Sequence, residues 1–92
     1  MSTRADSRIE WLVDEFVKAD EATKRKTTLL LAEYEANEFE NWCKKQRVNK
    51  DDPFVISSYE TLHMLYIALW RRLDDEFHRM MRDARYRLKV AR

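Results

Sequence analysis

A chain of 92 residues makes at most one domain and has little stability to spare. Its composition, 45% hydrophobic, 38% charged and 12% aromatic, is that of a folded protein, and a net charge of +1 gives no overall pull toward nucleic acid or an acidic membrane. There is no glycine, which excludes a Gly-rich phosphate loop and a dinucleotide fingerprint, since both need residues without a Cβ beside the phosphates.

Glycine and proline are the strongest breakers of local structure, and Pro53 is the single proline. Long helices are therefore expected. The first helix is predicted from about residue 5 to about residue 47. Its apolar positions, Ile9, Leu12, Val13, Phe16, Val17, Leu30, Leu31, Tyr34, Phe39, Trp42 and Cys43, recur at steps of three and four. Between them lies the polar run KADEATKRKTT, where a break at Asp20 competes with a solvated helix middle; without Gly or Pro, continuity is the expectation.

The segment VNKDDPF is the turn signal, with the turn itself at about 48–52. Asp52 before Pro53 offers an N-cap oxygen followed by proline at the first helical position, and Ser57 with Glu60 is a rival capping box. The second helix is predicted from about 53 to about 91. Leu62, Tyr66, Leu69, Leu73, Phe77, Met80, Ala84, Leu88 and Ala91 follow an eleven-residue repeat, about 3.67 residues per turn, which favours a nearly straight seam. The stripe reaches almost to the last residue, so the C-terminus is expected to be docked.

The fold class expected is all-α: two long antiparallel helices forming a hairpin. Charge order agrees with that pairing. A turn near residue 51 sets Asp14 and Glu15 near Arg85 and Lys89, Lys24 to Lys26 near Asp74 to Glu76, Glu33 near Arg71, and Lys44 near Glu60. Residues 64–70 are apolar right around the helix, and 28–32 nearly so. A helix apolar on all sides is covered on all sides, and one partner helix covers only one. The expectation is a homo-oligomer, at least a dimer, closing a four-helix or larger bundle. Its interface residues are Leu29, Leu30, Leu31, Leu65, Tyr66, Ile67, Leu69 and Trp70.

The function expected is that of a small non-enzymatic structural, adaptor or regulatory protein, cytoplasmic, acting by helix-face contact with itself or another protein. No cofactor is expected. The longest apolar run is far short of a membrane span, and MSTRADS lacks the apolar core of a secretory signal. Cys43, the one cysteine, fits a reducing compartment.

Two alternatives follow from particular residues. Arg79, Arg82, Arg85 and Lys89 form a basic stripe on the last helix that suits phosphate contacts, and acids at Asp6, Glu10, Asp14, Glu15 and Asp83 are placed to neutralise part of it. Glu60 and His63, three apart, have the spacing of half a carboxylate-bridged di-metal site, with Glu40 as the first-helix carboxylate. The stretches EYEANEF and ETLHMLYIALWRR loosely resemble encapsulated ferritins, short helical hairpins whose resemblance implies iron held between subunits by a first-helix Glu and a second-helix Glu-x-x-His. Glu60 and His63 lie nearer the helix start than that family's ligands, and Glu60 also suits the helix N-terminal charge. Trp11, Trp42 and Trp70 are candidate partner anchors or core, while Cys43 and His78 carry no further argument.

Overall fold

The computed structural model describes residues 4–90, and these are all-helical, with five helices and no strand. They are α1 (Arg4–Lys18), α2 (Glu21–Ala36), α3 (Phe39–Gln46), α4 (Pro53–Leu73) and α5 (Asp75–Val90). The last position of the apolar stripe, Ala91, and the docked C-terminus lie outside the described residues.

Each expected long rod is broken. A hairpin of two such rods would be about 60 Å long at 1.5 Å per residue, whereas the longest dimension is 34 Å. The smallest, 19 Å, is two helix layers at the usual spacing of about 10 Å.

Physical causes for the first-helix breaks are local. Asp20 leaves helical geometry at φ −74°, ψ 169°, and its carboxylate accepts the Thr23 N–H at 2.8 Å. That cap satisfies an otherwise orphaned donor, a role Asp fills better than a helix interior. No apolar residue between Val17 and Leu29 except Ala19 and Ala22 holds the polar run against a common core, so capping prevails over continuity. Asn37 ends α2 in extended geometry, its side-chain amide donating to the Glu33 carbonyl at 2.8 Å.

At the turn after α3, Arg47 takes left-handed angles, φ 59° and ψ 46°, a place usually given to glycine. Its N–H donates to the Lys44 carbonyl, and that of Val48 to the Cys43 carbonyl. Asp52 then caps α4 by accepting the Phe54 N–H at 2.9 Å, with Pro53 at the first position. This is one of the two starts the sequence allows; Ser57 lies inside the helix.

A third break is invisible in the apolar pattern. Asp74 alone joins α4 to α5, at φ 46° and ψ −113°. Glycine dominates such angles, and a side chain there costs about 1–3 kcal/mol.

With these breaks one chain closes its own core. Helix α1 lies on α4, α2 lies on α5, and α4 also touches α2 and α5. Ile9, Val13 and Phe16 meet Leu31, Ala32, Leu65, Leu69, Phe77, Met81 and Ala84, of which Phe77, Leu31, Leu69 and Met81 are fully buried. A smaller cluster holds Trp42, Cys43 and Val55. Aromatic contacts link the two: Phe16 to Phe77, Phe77 to Tyr66, Tyr66 to Tyr34, Tyr34 to Tyr59, and Tyr59 to Trp42.

The broken rods also change the ion pairs. In place of the blocks expected from a hairpin, Asp14 pairs with Arg72, Glu33 with Lys45, Glu40 with Lys50, and Glu35 with Arg85. Near the turn, α2 and α3 keep nearly the expected register on α4: Tyr34 meets His63, Glu35 meets Tyr66, and Trp42 meets Tyr59.

Candidate functional site

Leucines at 29 and 30 follow each other on α2, so a helix that buries Leu31 and Ala32 must turn at least one of them outward. Leu30 is 45% exposed and Leu29 half-buried. Against them, the end of α5 brings Leu88 and Val90, the latter 59% exposed. These four side chains, with Lys26, Glu33 and Arg87, line an open groove of about 680 Å³ between α2 and α5.

The rim is polar and held. Glu33 pairs with Lys45 of α3 at 3.6 Å, and Arg87 pairs with Asp83 one turn earlier at 2.9 Å. An apolar floor with fixed charges at its edge is suited to the apolar face of another helix.

The eight expected interface residues separate. Leu29 and Leu30 lie in the groove. Leu31, Leu65 and Leu69 are inside the chain's own core, and Tyr66 and Trp70 pack against it half-buried. The inference that another chain must cover 64–70 counted two helices. Helices α1, α2 and α5 all pack on α4, and Ile67 at 38% exposure remains outside. Leu88 belongs to the apolar stripe read from the sequence, but Val90 lies off that stripe and was missed.

Beside the groove, a polar network ties the same two helices. The Arg85 guanidinium donates two hydrogen bonds to Glu35, each 2.6 Å, and the Tyr66 hydroxyl donates to the same carboxylate. The Arg85 guanidinium holds the Glu35 carboxyl below the usual carboxylate range, against some loss of solvation. Burial, then the nearby carboxylate, pushes the Tyr66 phenol up. Burial likewise raises Tyr34 and Tyr59, which with Tyr66, Glu35 and Glu38 line a shallow cavity of about 410 Å³.

The basic stripe is divided as well. Arg85 is committed to Glu35. Arg79 turns with Lys24, Arg25 and Arg87 into a cavity of about 360 Å³ that Glu21 and Asp83 also line, so its charge is mixed. Arg82 and Lys89 are exposed elsewhere.

Two of the three proposed metal ligands have other partners. Glu40 accepts from Lys50 at 3.1 Å, which lowers its carboxyl, and the His63 Nδ1 hydrogen-bonds the Tyr34 hydroxyl. Glu60 is exposed. Within one chain, among the described residues, no three His, Cys, Asp or Glu side chains are grouped to hold a metal ion.

Several groups with nucleophilic atoms are buried or hydrogen-bonded. Cys43 is buried, and burial pushes its thiol up. The hydroxyls of Thr27, Ser58 and Thr61 donate to the carbonyl one turn earlier, and Thr28 donates to those of Lys24 and Arg25. Among the described residues no helix is long and apolar enough to cross a membrane. Comparison with protein-family models, with curated proteins and with solved structures gives no match.

Proposed function

We propose that this chain is a small non-enzymatic structural or adaptor protein of the cytoplasm that works by helix-face contact, with another protein or with its own kind. The observation that carries the reading is the groove between α2 and α5, whose leucine and valine floor stays open after the core has closed. Exposed apolar residues scattered singly are ordinary, but a contiguous apolar groove with a charged rim marks a contact surface. The partner surface it suits is the apolar face of an amphipathic helix, read at i, i+3, i+4 and i+7.

The test uses a synthetic amphipathic helix with leucine at those positions, labelled for fluorescence anisotropy. Leu30→Glu and Leu88→Glu should each weaken its binding about tenfold or more, since each sets a charge into an apolar contact. Far-UV circular dichroism should stay unchanged, because both sites lie at the groove and not among the fully buried residues. Binding that neither substitution weakens would remove the groove from consideration.

A further inference from the structure

We propose that α5 exchanges between two copies of this chain: the joint at Asp74 straightens, α4 and α5 become one helix, and each α5 packs on α2 of the other copy. The proposal deepens the helix-face reading by naming a second copy as a partner and stating how it is held.

Three observations carry it. The joint is one residue long, and that residue is an aspartate at φ 46°, ψ −113°, where a side chain is strained. Straightening releases the strain and extends the backbone ladder. The hydrogen bonds bridging the joint now are those from Asp74 to the Trp70 carbonyl and from His78 to the Asp74 carbonyl. In a continuous helix Asp75, Glu76 and Phe77 would also donate, to the carbonyls of Arg71, Arg72 and Leu73.

The second observation is the apolar stripe. Leu69, Leu73, Phe77, Met80 and Ala84 step by fours and threes straight through the joint, as one helix requires. Nothing in that pattern asks for a reversal at residue 74.

Third, α5 is held chiefly by α2, through the packing of Met81 and Ala84 into the shared core and the bidentate Glu35–Arg85 pair, while Phe77 meets Phe16 of α1 and Tyr66 and Trp70 of α4. Every α2–α5 contact can form between copies as it does within one. An antiparallel crossing at residue 74 adds a new one, setting Arg71 and Arg72 of one copy near Asp75 and Glu76 of the other. A short, strained hinge is the recognised setting for exchange of this kind. The exchanged dimer, with one helix Pro53–Val90 in each copy, carries the α2–α5 groove twice, each groove built from both chains, and so holds two partner helices at once.

Light scattering across a concentration series tests this with the full chain. Asp74→Gly removes the strain and disfavours the continuous helix, so it should weaken dimerisation about tenfold or more; Asp74→Ala keeps the strain and favours the helix, so it should strengthen dimerisation by a similar factor. A second measurement identifies exchange itself. Glu35→Arg puts two arginines at the pair, and Arg85→Glu puts two glutamates there. Each variant alone repels within its own copy, yet an exchanged heterodimer of the two restores both pairs. Refolding them together should give a one-to-one complex of twice the 11.3 kDa chain mass. A dimer of equal strength in all three residue-74 forms, with no heterodimer on mixing, overturns exchange and leaves the groove reading standing. Monomers throughout, Asp74→Ala included, overturn exchange as well. Loss of peptide binding on Leu30→Glu, by contrast, bears on the groove alone, because Leu30 has no part at the joint.

Discussion

Glu35 and Arg85, fifty residues apart in the chain, meet through two hydrogen bonds of 2.6 Å, and the Tyr66 hydroxyl completes the network from α4. One carboxylate thereby ties three helices. The pair sits at the surface, with the Glu35 side chain 25% exposed and that of Arg85 43%, so solvent screens it and its worth is about 1 kcal/mol.

The direction of the pH dependence follows from the same contacts. Because Arg85 lowers the Glu35 carboxyl, its contribution is present above the usual carboxylate range and is lost as pH falls through the lowered folded value. Tyr66 is raised, so its contribution is present below the usual phenol range and is lost as pH rises through the raised folded value. Urea unfolding from pH 3 to 11 should show Glu35→Gln losing about 1 kcal/mol near neutrality and following a shallower acid limb. Tyr66→Phe should flatten the alkaline limb instead. Identical limbs in the variants and the parent would mean that the network has no hold on the fold.

Phe77 is the residue on which the two halves of the core depend. It is fully buried, and its ring meets Phe16 of α1 as well as Tyr66 and Trp70 of α4. Phe77→Ala should cost about 3–5 kcal/mol, close to the whole stability of a domain this size. Ile67→Ala, on the exposed side of α4, should cost about 0.5 kcal/mol or less. The measurement is the urea midpoint at constant m-value. Equal costs at the two sites would contradict the closed single-chain core and return 64–70 to an interface between chains.

How far the sequence could be read depended on where the deciding energies lie. The helical content, the turn at Asp52–Pro53 and most core positions follow from local pattern and capping chemistry. Asp20 carried a legible capping signal, though the lack of glycine and proline argued for continuity and misled. Asp74 carried no such signal: the apolar stripe runs through it unbroken, and tertiary packing, of α5 on α2 and of Phe77 against α1 and α4, holds the reversed joint. The groove was half legible for a similar reason. Leu29 and Leu30 stood out as surplus apolar surface, but which part of 64–70 stays open depends on α1 folding back over α4, which no periodicity encodes. Charge order misled most, since its four blocks assumed one register along both rods, and the breaks at Asp20 and Asp74 leave that register only near the turn.

Arg47 offers a gain where the other substitutions bring losses. It ends α3 at φ 59°, ψ 46°, where a Cβ approaches the following carbonyl oxygen and costs about 1 kcal/mol. The chain has no glycine to place there. The Arg47 side chain is exposed and forms none of the ion pairs found among the described residues, so removing it leaves α3 and the small aromatic cluster undisturbed. Its backbone N–H, which donates to the Lys44 carbonyl, is retained by glycine. Arg47→Gly should therefore stabilise the fold by about 0.5–1 kcal/mol, raising the thermal midpoint by about 2–8 °C for a domain of this length. Arg47→Val, β-branched and worse suited to these angles, should lower it. A calorimetric scan of the three forms decides the matter: if glycine fails to raise the midpoint above that of valine, the left-handed turn after α3 does not exist in solution.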